Sequence, residues 1–393
     1  MKIGITCYPT YGGSGAVATE LGIALAGRGH EIHFITYKQP FRLPAFLPRI
    51  FFHEVDVGRY PLFEYPPYDL ALAVRMHEVV LSHGLDLLHC HYAIPHATSA
   101  WIAKEMLKPT RPDIRVVTTL HGTDITIVGQ DPSFRPITKF SIEKSDGLTA
   151  VSRYLQQETL TTFGCTACRI EVIPNFIDPD VYDRSRHVST LKDQVDPGTR
   201  VLMHISNFRP VKHVKDVVQI FGRVAERIPS VLVMVGDGPD RVDAEAEARA
   251  LGVQDKVFFL GKIDAVAPLL AGADLFLLPS RSESFGLSAL EALASGVPVI
   301  GASAGGLPEV VRSGETGVLC AAGDVDGMAD AAIGILGDRD RWQAMSDVAA
   351  SDARQRFSLD AIVGEYEAFY EYALSPRPAT APRPPSNPSP MVP

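Results

Sequence analysis

Short apolar runs recur along this chain, and the stretches between them carry apolar residues three or four positions apart. KIGITCY (2–8) reads as a buried strand, and GAVATELGIALAGRG (15–29) as a helix with glycine at its exit. EIHFITY (31–37), FFHEV (51–55), DLLHCHY (86–92), IRVVTTL (114–120), GLTAV (147–151) and IEVIP (170–174) follow, with helical patterns between most of them. Strand and helix alternating in this way predict a parallel sheet with helices on both faces.

The pattern then starts again. RVLMHIS (200–206), VLVMVG (231–236), VFFLG (257–261), LFLLP (275–279), PVIGA (298–302) and GVLC (317–320) are again spaced by helices. The sequence therefore predicts an α/β protein of two doubly wound, Rossmann-like domains, 1–176 and 177–357, joined through the polar stretch 176–199. The segment 358–374 is expected to be a helix that packs back on the first domain. Ligands of such sheets bind at the carboxyl ends of the strands, so a central cleft between the domains is the expected site. Residues 375–393 hold eight prolines in nineteen positions, a density no helix or sheet accommodates, and a disordered tail is expected.

Composition acts mainly by exclusion. A chain of 393 residues, 46% hydrophobic and 21% charged, has the make-up of an ordinary globular protein. No apolar run approaches the ~18 residues that a bilayer span needs. The N-terminus turns straight into a strand, so a cytoplasmic location is expected. The net charge of −9 is confined to the second half: residues 1–176 hold 16 basic and 16 acidic side chains, residues 177–393 hold 21 and 30. That balance lacks the basic footprint of a nucleic-acid binder. Cys165 and Cys168 form a lone CxxC without a second pair at zinc-ribbon spacing, and are expected to be ordinary thiols.

The candidate chemistry sits between strands and helices. GGSG, Gly12 to Gly15, joins the first strand to its helix and offers backbone amides and a helix dipole to an anion. Residues 13–18 also fit the looser dinucleotide fingerprint, but the second strand ends in Thr36-Tyr37-Lys38, with no acid to hold a ribose. An anion or sugar cradle fits better than NAD or a purely structural turn. HGTD (121–124) closes another strand and is expected to bring His121 and Thr119 to the cleft. HCHYAIPH (89–96) places three histidines and Tyr92 at a further strand end. His89 and His91 are expected on opposite faces, unable to share a metal.

In SNFRPVKH (206–213), Arg209 and Lys212 precede a helix whose N-terminus favours negative charge. Two cations there make sense if an anion such as a diphosphate is brought in. Finally, LFLLPSRSESFGLSALEALASGVPVI (275–300) reads strand, loop, helix, strand, with Glu283 in the loop and Glu291 in the helix. Taken alone, Glu291 fits an exposed helix position and Glu283 a helix-start acid. The alternative is that both face a ligand at the helix start.

Together these motifs resemble the retaining glycosyltransferases of family 4, which have the two-domain GT-B fold, over residues 1–374. Glu283 and Glu291 match that family's E-x7-E signature, Arg209 and Lys212 its diphosphate pair, and GGSG its glycine loop. The resemblance implies a nucleotide-sugar donor, retention of configuration, no divalent metal and no cofactor. It implies that Glu291 holds the ribose and Glu283 a sugar hydroxyl. Arg209, Lys212 and the amides of Gly286, Leu287 and Ser288 then meet the diphosphate. Gly12, Gly13, Gly261 and Phe285 line the nucleotide-sugar site, and His121 lies near the reacting centre.

The N-terminal stretch through GHEIHFIT, with PFRL, HCHYAIPHA, TTLHGTDIT, IPNFID and SNFRPVKH, looks like one branch of the family. That branch joins N-acetylglucosamine from UDP-GlcNAc to the hydroxyl of L-malate in the bacillithiol pathway, and homodimers occur in it. Ser14, Tyr92, Thr119, Arg153 and Asn175 are then the acceptor residues. Arg153 departs from the branch, where a smaller polar residue is expected, and an arginine also suits a phosphate-bearing acceptor. Inositol phosphate or a lipid-linked sugar as acceptor, and a UDP-sugar epimerase of the same fold, are the alternatives.

Overall fold

The computed structural model describes residues 1–10, 12–58, 64–165, 168–188 and 191–375; the proline-rich segment 376–393 lies outside the described residues. Among the described residues, seven parallel strands form the first sheet: β1 (Lys2–Thr6), β2 (Glu31–Thr36), β3 (Ile50–Glu54), β4 (Leu87–His91), β5 (Arg115–Leu120), β6 (Gly147–Ala150) and β7 (Ile170–Val172). Their order is β3-β2-β1-β4-β5-β6-β7. Six form the second: β8 (Arg200–Ile205), β9 (Ser230–Val235), β10 (Val257–Gly261), β11 (Leu275–Leu278), β12 (Val299–Ala302) and β13 (Gly317–Cys320), ordered β10-β9-β8-β11-β12-β13. Each strand falls on a run that the hydrophobic pattern marks.

The order reverses between β1 and β4 in one sheet and between β8 and β11 in the other, and crevices open at such switch points. Helices cover both faces, so strands at the switch have no solvent side; β4 is buried at every position. The helix Val214–Ala225 shows how a face is chosen. Val214, Val217, Val218, Phe221 and Val224 recur at helical spacing and are all buried against the second sheet.

The chain crosses between the halves twice, side by side. Ile177 and Ser358 form a parallel bridge, with Ile177 N–H donating to Phe357 O and Leu359 N–H to Ile177 O, both at 2.9 Å. The last helix, Leu359–Leu374, then packs on the first sheet, where Tyr366 and Tyr370 are buried among Ile3, Ile5, Val17 and Leu21. A separate apolar cluster spans the two halves, joining Leu120, Leu155 and Phe163 to Phe285, Leu290 and Leu307.

One expectation about sulfur is corrected. Cys165 and Cys168 are bonded as a disulfide, while Cys7, Cys90 and Cys320 are free. Their Cα atoms lie 5.4 Å apart, within the span a disulfide bridges.

Candidate functional site

Two helices begin at the cleft on glycine. Gly12 precedes the helix Gly13–Gly27, and Gly286 precedes the helix Leu287–Ala294. Neither glycine supplies a capping side chain and neither first turn holds an acid, so the first amides of both helices are open to an anion. The two starts face each other: a Cβ added to Gly13 would lie 3.4 Å from Leu287 Cδ2. Gly286 has φ +100°, a conformation that side chains disfavour, and so turns the ESFG loop sharply into its helix. Phe285 anchors that loop, buried edge-on against Phe357 at 5.6 Å, while Leu287 and Ser288 are half-buried.

Both glutamates of the E-x7-E pair are buried, which removes the reading of Glu291 as an exposed helix residue. Glu283 accepts from Lys212 Nζ at 2.6 Å. Lys212 ends a short turn, Pro210–Lys212, that starts beside the exposed Arg209, and its charge is engaged by the Glu283 carboxylate. Glu291 accepts from the Tyr182 hydroxyl at 2.6 Å, and Arg42 Nη2 lies 3.9 Å away. Arg42 also donates to Glu20 at 2.5 Å. Burial pushes the Glu291 carboxyl up to about 7, against the lowering pull of Tyr182 and Arg42. The sequence reading missed Tyr182 and Arg42. They come from the polar join and from the PFRL loop, and no local spacing links either to Glu291.

On the opposite wall, His121 is half-buried at the end of β5, and its Nε2 is 2.8 Å from His91 Nδ1. Burial brings the His121 imidazole down to about 3, so it is neutral at physiological pH. Gly122, at φ +121°, is packed so closely that a Cβ would fall 1.6 Å from Ser284 Oγ in the ESFG loop. The HGTD and ESFG loops are therefore in direct contact. Asp124, also missed, is buried and accepts from the amides of Gly122 and Ala93, each at 3.0 Å. It ties the His121 loop to the one carrying Tyr92. Burial raises its carboxyl to about 6, and the amide hydrogen bonds oppose that shift.

Two expectations fail here. His89 and His91 do not diverge: residues two apart on a strand share a face, and the rings are 4.3 Å apart. Thr119 does not line the cleft. It is fully buried, with its hydroxyl bonded to His89 Nε2 and Thr149 Oγ1, each at 2.7 Å, and Tyr370 holds the other side of His89 at 2.8 Å. This polar layer lies behind the site and supports the strand ends.

Of the other predicted residues, Tyr92 donates to Ser14 Oγ at 3.0 Å, so the glycine loop and the end of β4 meet. Arg153 is exposed at the start of its helix. Glu309, from the opposite half, accepts the amides of Arg153 and Tyr154 at 2.9 and 2.8 Å, and Ser152 Oγ donates to Ser284 O at 2.6 Å. Asn175 is buried with its side-chain oxygen unpartnered. Gly261 closes β10 at φ +70° and its carbonyl accepts from Gly236 N–H at 2.7 Å.

The family described as Glycosyltransferase Family 4 matches residues 11–181, and that described as Glycosyl transferases group 1 matches 190–352. The N-acetyl-alpha-D-glucosaminyl L-malate synthase of Bacillus anthracis is 50% identical over 372 residues, 94% of this chain and 96% of that protein. The chain belongs to glycosyltransferase family 4. A more distant relative, the D-inositol 3-phosphate glycosyltransferase of Mycobacterium avium (strain 104), is 29% identical over 391 residues, covering 92% of this glycosyltransferase and 89% of that protein. Among solved structures, Anabaena HepE in complex with UDP-glucose superposes with a TM-score of 0.76 at 21% identity, over 95% of this chain and all of that one. The sucrose-phosphate synthase of Thermosynechococcus elongatus gives 0.75 at 21%, over 94% and 98%. These likenesses establish the GT-B fold of the enzyme. Among its described residues no helix is long and apolar enough to cross a membrane.

Proposed function

We propose that this glycosyltransferase moves N-acetylglucosamine from UDP-GlcNAc to the hydroxyl of L-malate, with retention of the α configuration. The observation that carries this reading is the 50% identity, across nearly the whole chain, to a relative named for that synthesis. With donor and acceptor both small water-soluble metabolites, the reading assigns the reaction to the cytoplasm.

The walls of the cleft fit the donor in parts. UDP departs readily once its diphosphate charge is met. Arg209, Lys212 and the open amides at Leu287 and Ser288 supply fixed positive charge there, the kind of preorganised electrostatics that carries much of enzymatic catalysis. Lys212 has three N–H donors, so its bond to Glu283 leaves two for a phosphate oxygen. Glu283 faces a hydroxyl of the sugar. Glu291 offers the ribose diol the carboxylate oxygen that Tyr182 does not take. In this reading the two glutamates place the donor and do not act as acid and base. The acceptor hydroxyl attacks from the face the diphosphate leaves, and the departing phosphate takes its proton.

The neutral His121, held by His91, presents its ring beside the sugar and shuttles no proton. For malate, Ser14 and Tyr92 at the uncapped start of Gly13–Gly27 offer hydroxyls and amides to a carboxylate, and Arg153 offers charge. With these cations and amides in place, the reading assigns no metal or cofactor to the transfer. Incubation with UDP-GlcNAc, with and without L-malate, tests it. UDP release and a product of the conjugate mass are expected with malate; conversion of UDP-GlcNAc to an epimer without malate would sink the transferase reading.

A further inference from the structure

Three histidines meet on the flank of the first sheet, away from the strand ends that form the cleft. His33 lies within β2, His53 within the edge strand β3, and His83 is the last residue of the helix Tyr68–His83. His33 Nδ1 is 2.9 Å from His53 Nε2. The His83 ring centroid is 4.6 Å from that of His33 and 5.0 Å from that of His53. One nitrogen from each ring falls within 4.8 Å of the other two. His33 is fully buried, and the other two are half-buried, so solvent reaches one side of the group.

We infer that His33, His53 and His83 form a binding site for one divalent first-row metal ion of the zinc class. Imidazole nitrogen suits zinc, copper and nickel rather than the hard cations. Zn–N bonds of about 2.0–2.1 Å at tetrahedral angles separate ligand nitrogens by roughly 3.3–3.4 Å. The His33–His53 pair therefore has to open by a few tenths of an ångström, and His83 has to close by a side-chain rotation. The neighbouring groups are arranged as around a histidine ligand. Glu31 Oε1 sits 3.0 Å from His33 Nε2 and accepts a hydrogen bond from its N–H, which leaves the lone pair on Nδ1, facing His53. A carboxylate behind a ligating imidazole is a recurrent device for fixing tautomer and ring orientation. Lys2 Nζ lies 3.0 Å from the same Glu31 oxygen, so the carboxylate is held in place from a second side.

The three side chains come from three different elements, so a bound ion clips the edge strand and the helix end to β2. The fourth position faces solvent and takes water. The site belongs to the scaffold and contributes no group to sugar transfer.

The test uses the untagged full chain, stripped with chelator and titrated with Zn²⁺, with Co²⁺ as the spectroscopic probe. One ion per chain is expected, with Zn²⁺ dissociation below about 10 μM. Co²⁺ should give visible ligand-field bands of a low-coordinate nitrogen site. His53→Ala and His83→Ala, chosen because neither residue is fully buried, should each weaken binding at least about tenfold while leaving transferase activity intact. Zinc should raise the melting midpoint of the parent chain by several degrees and that of neither variant. Absence of binding in the parent chain, or affinity unchanged in both variants, would overturn the assignment.

Discussion

Lys212 donates to Glu283 across 2.6 Å, and the two residues come from separate loops 71 positions apart. The proposed diphosphate cation and the proposed sugar carboxylate are thus held at one point. A buried ion pair of this kind contributes little net stability. What it provides is orientation of both groups.

Glu283→Gln keeps the shape and removes the charge. If Glu283 holds a sugar hydroxyl, kcat/KM for UDP-GlcNAc should fall about 10²-fold. Affinity for UDP itself, which lacks the sugar, should be unchanged or tighter, since Lys212 is released. Steady-state kinetics beside UDP titration calorimetry separates the two. Equal losses in both would make Glu283 a support for Lys212 rather than a sugar ligand.

The carboxyl of Glu291 gives a pH signature. Its folded value, about 7, stands above the ordinary 4.5, so protons leave it across neutral pH. Only the ionised form accepts fully from a ribose diol, so UDP-GlcNAc affinity should rise from pH 6 to pH 8. The donor's diphosphate diester has no ionisation of its own in that range. Below the midpoint the change should approach about tenfold per pH unit. Glu291→Gln should flatten the profile; a profile of the same slope in the variant would remove Glu291 from the ribose site. The stability sign is opposite. The folded chain holds this proton more tightly than the unfolded chain does, so Glu291 detracts from stability as pH climbs from 4.5 through 7.

Gly122→Ala tests the contact between the two walls. A Cβ there would lie 1.6 Å from Ser284 Oγ, at a φ of +121° that alanine disfavours. Strain of this kind costs on the order of 1–3 kcal/mol, and the HGTD and ESFG loops must part. A lowered melting midpoint and a kcat/KM at least about tenfold lower are expected. Ser284→Gly in the same chain should recover part of both, because it removes the hydroxyl but not the strain.

How far the sequence carried these residues depends on what each feature needed. Strands were legible because parallel sheets bury both faces and leave continuous apolar runs, as in β4. Glycine starts, the Lys212 turn and the E-x7-E spacing were legible because each is local. Partners of Glu291 were not: Tyr182 is 109 residues away in a stretch that reads as a polar join. The three histidines on the sheet flank carry no short spacing either, since β2, β3 and a helix end bring them together. Thr119 looked like a cleft residue from its strand-end position, yet its side chain takes the inner face and joins the His89 network. The expected divergence of His89 and His91 was an error of strand periodicity, not a gap in the sequence.

Arg153 is the proposed charge for the acceptor. It is exposed at a helix start whose amides Glu309 already caps, so its charge is not needed there for folding. Arg153→Ala should raise the KM for malate about tenfold and leave UDP affinity and melting midpoint alone. Glu309→Ala should do the reverse, costing about 1 kcal/mol through the lost cap. Equal shifts in malate and UDP affinity for Arg153→Ala would take it out of the acceptor site.

The choice of acceptor is decided most sharply by direct competition. The enzyme is given UDP-GlcNAc with equimolar L-malate and inositol 3-phosphate, and the products are resolved by mass and by the anomeric proton coupling. N-acetylglucosaminyl malate in the α configuration is expected as the dominant product. Preferential transfer to inositol phosphate, or a β-linked malate product, would contradict it.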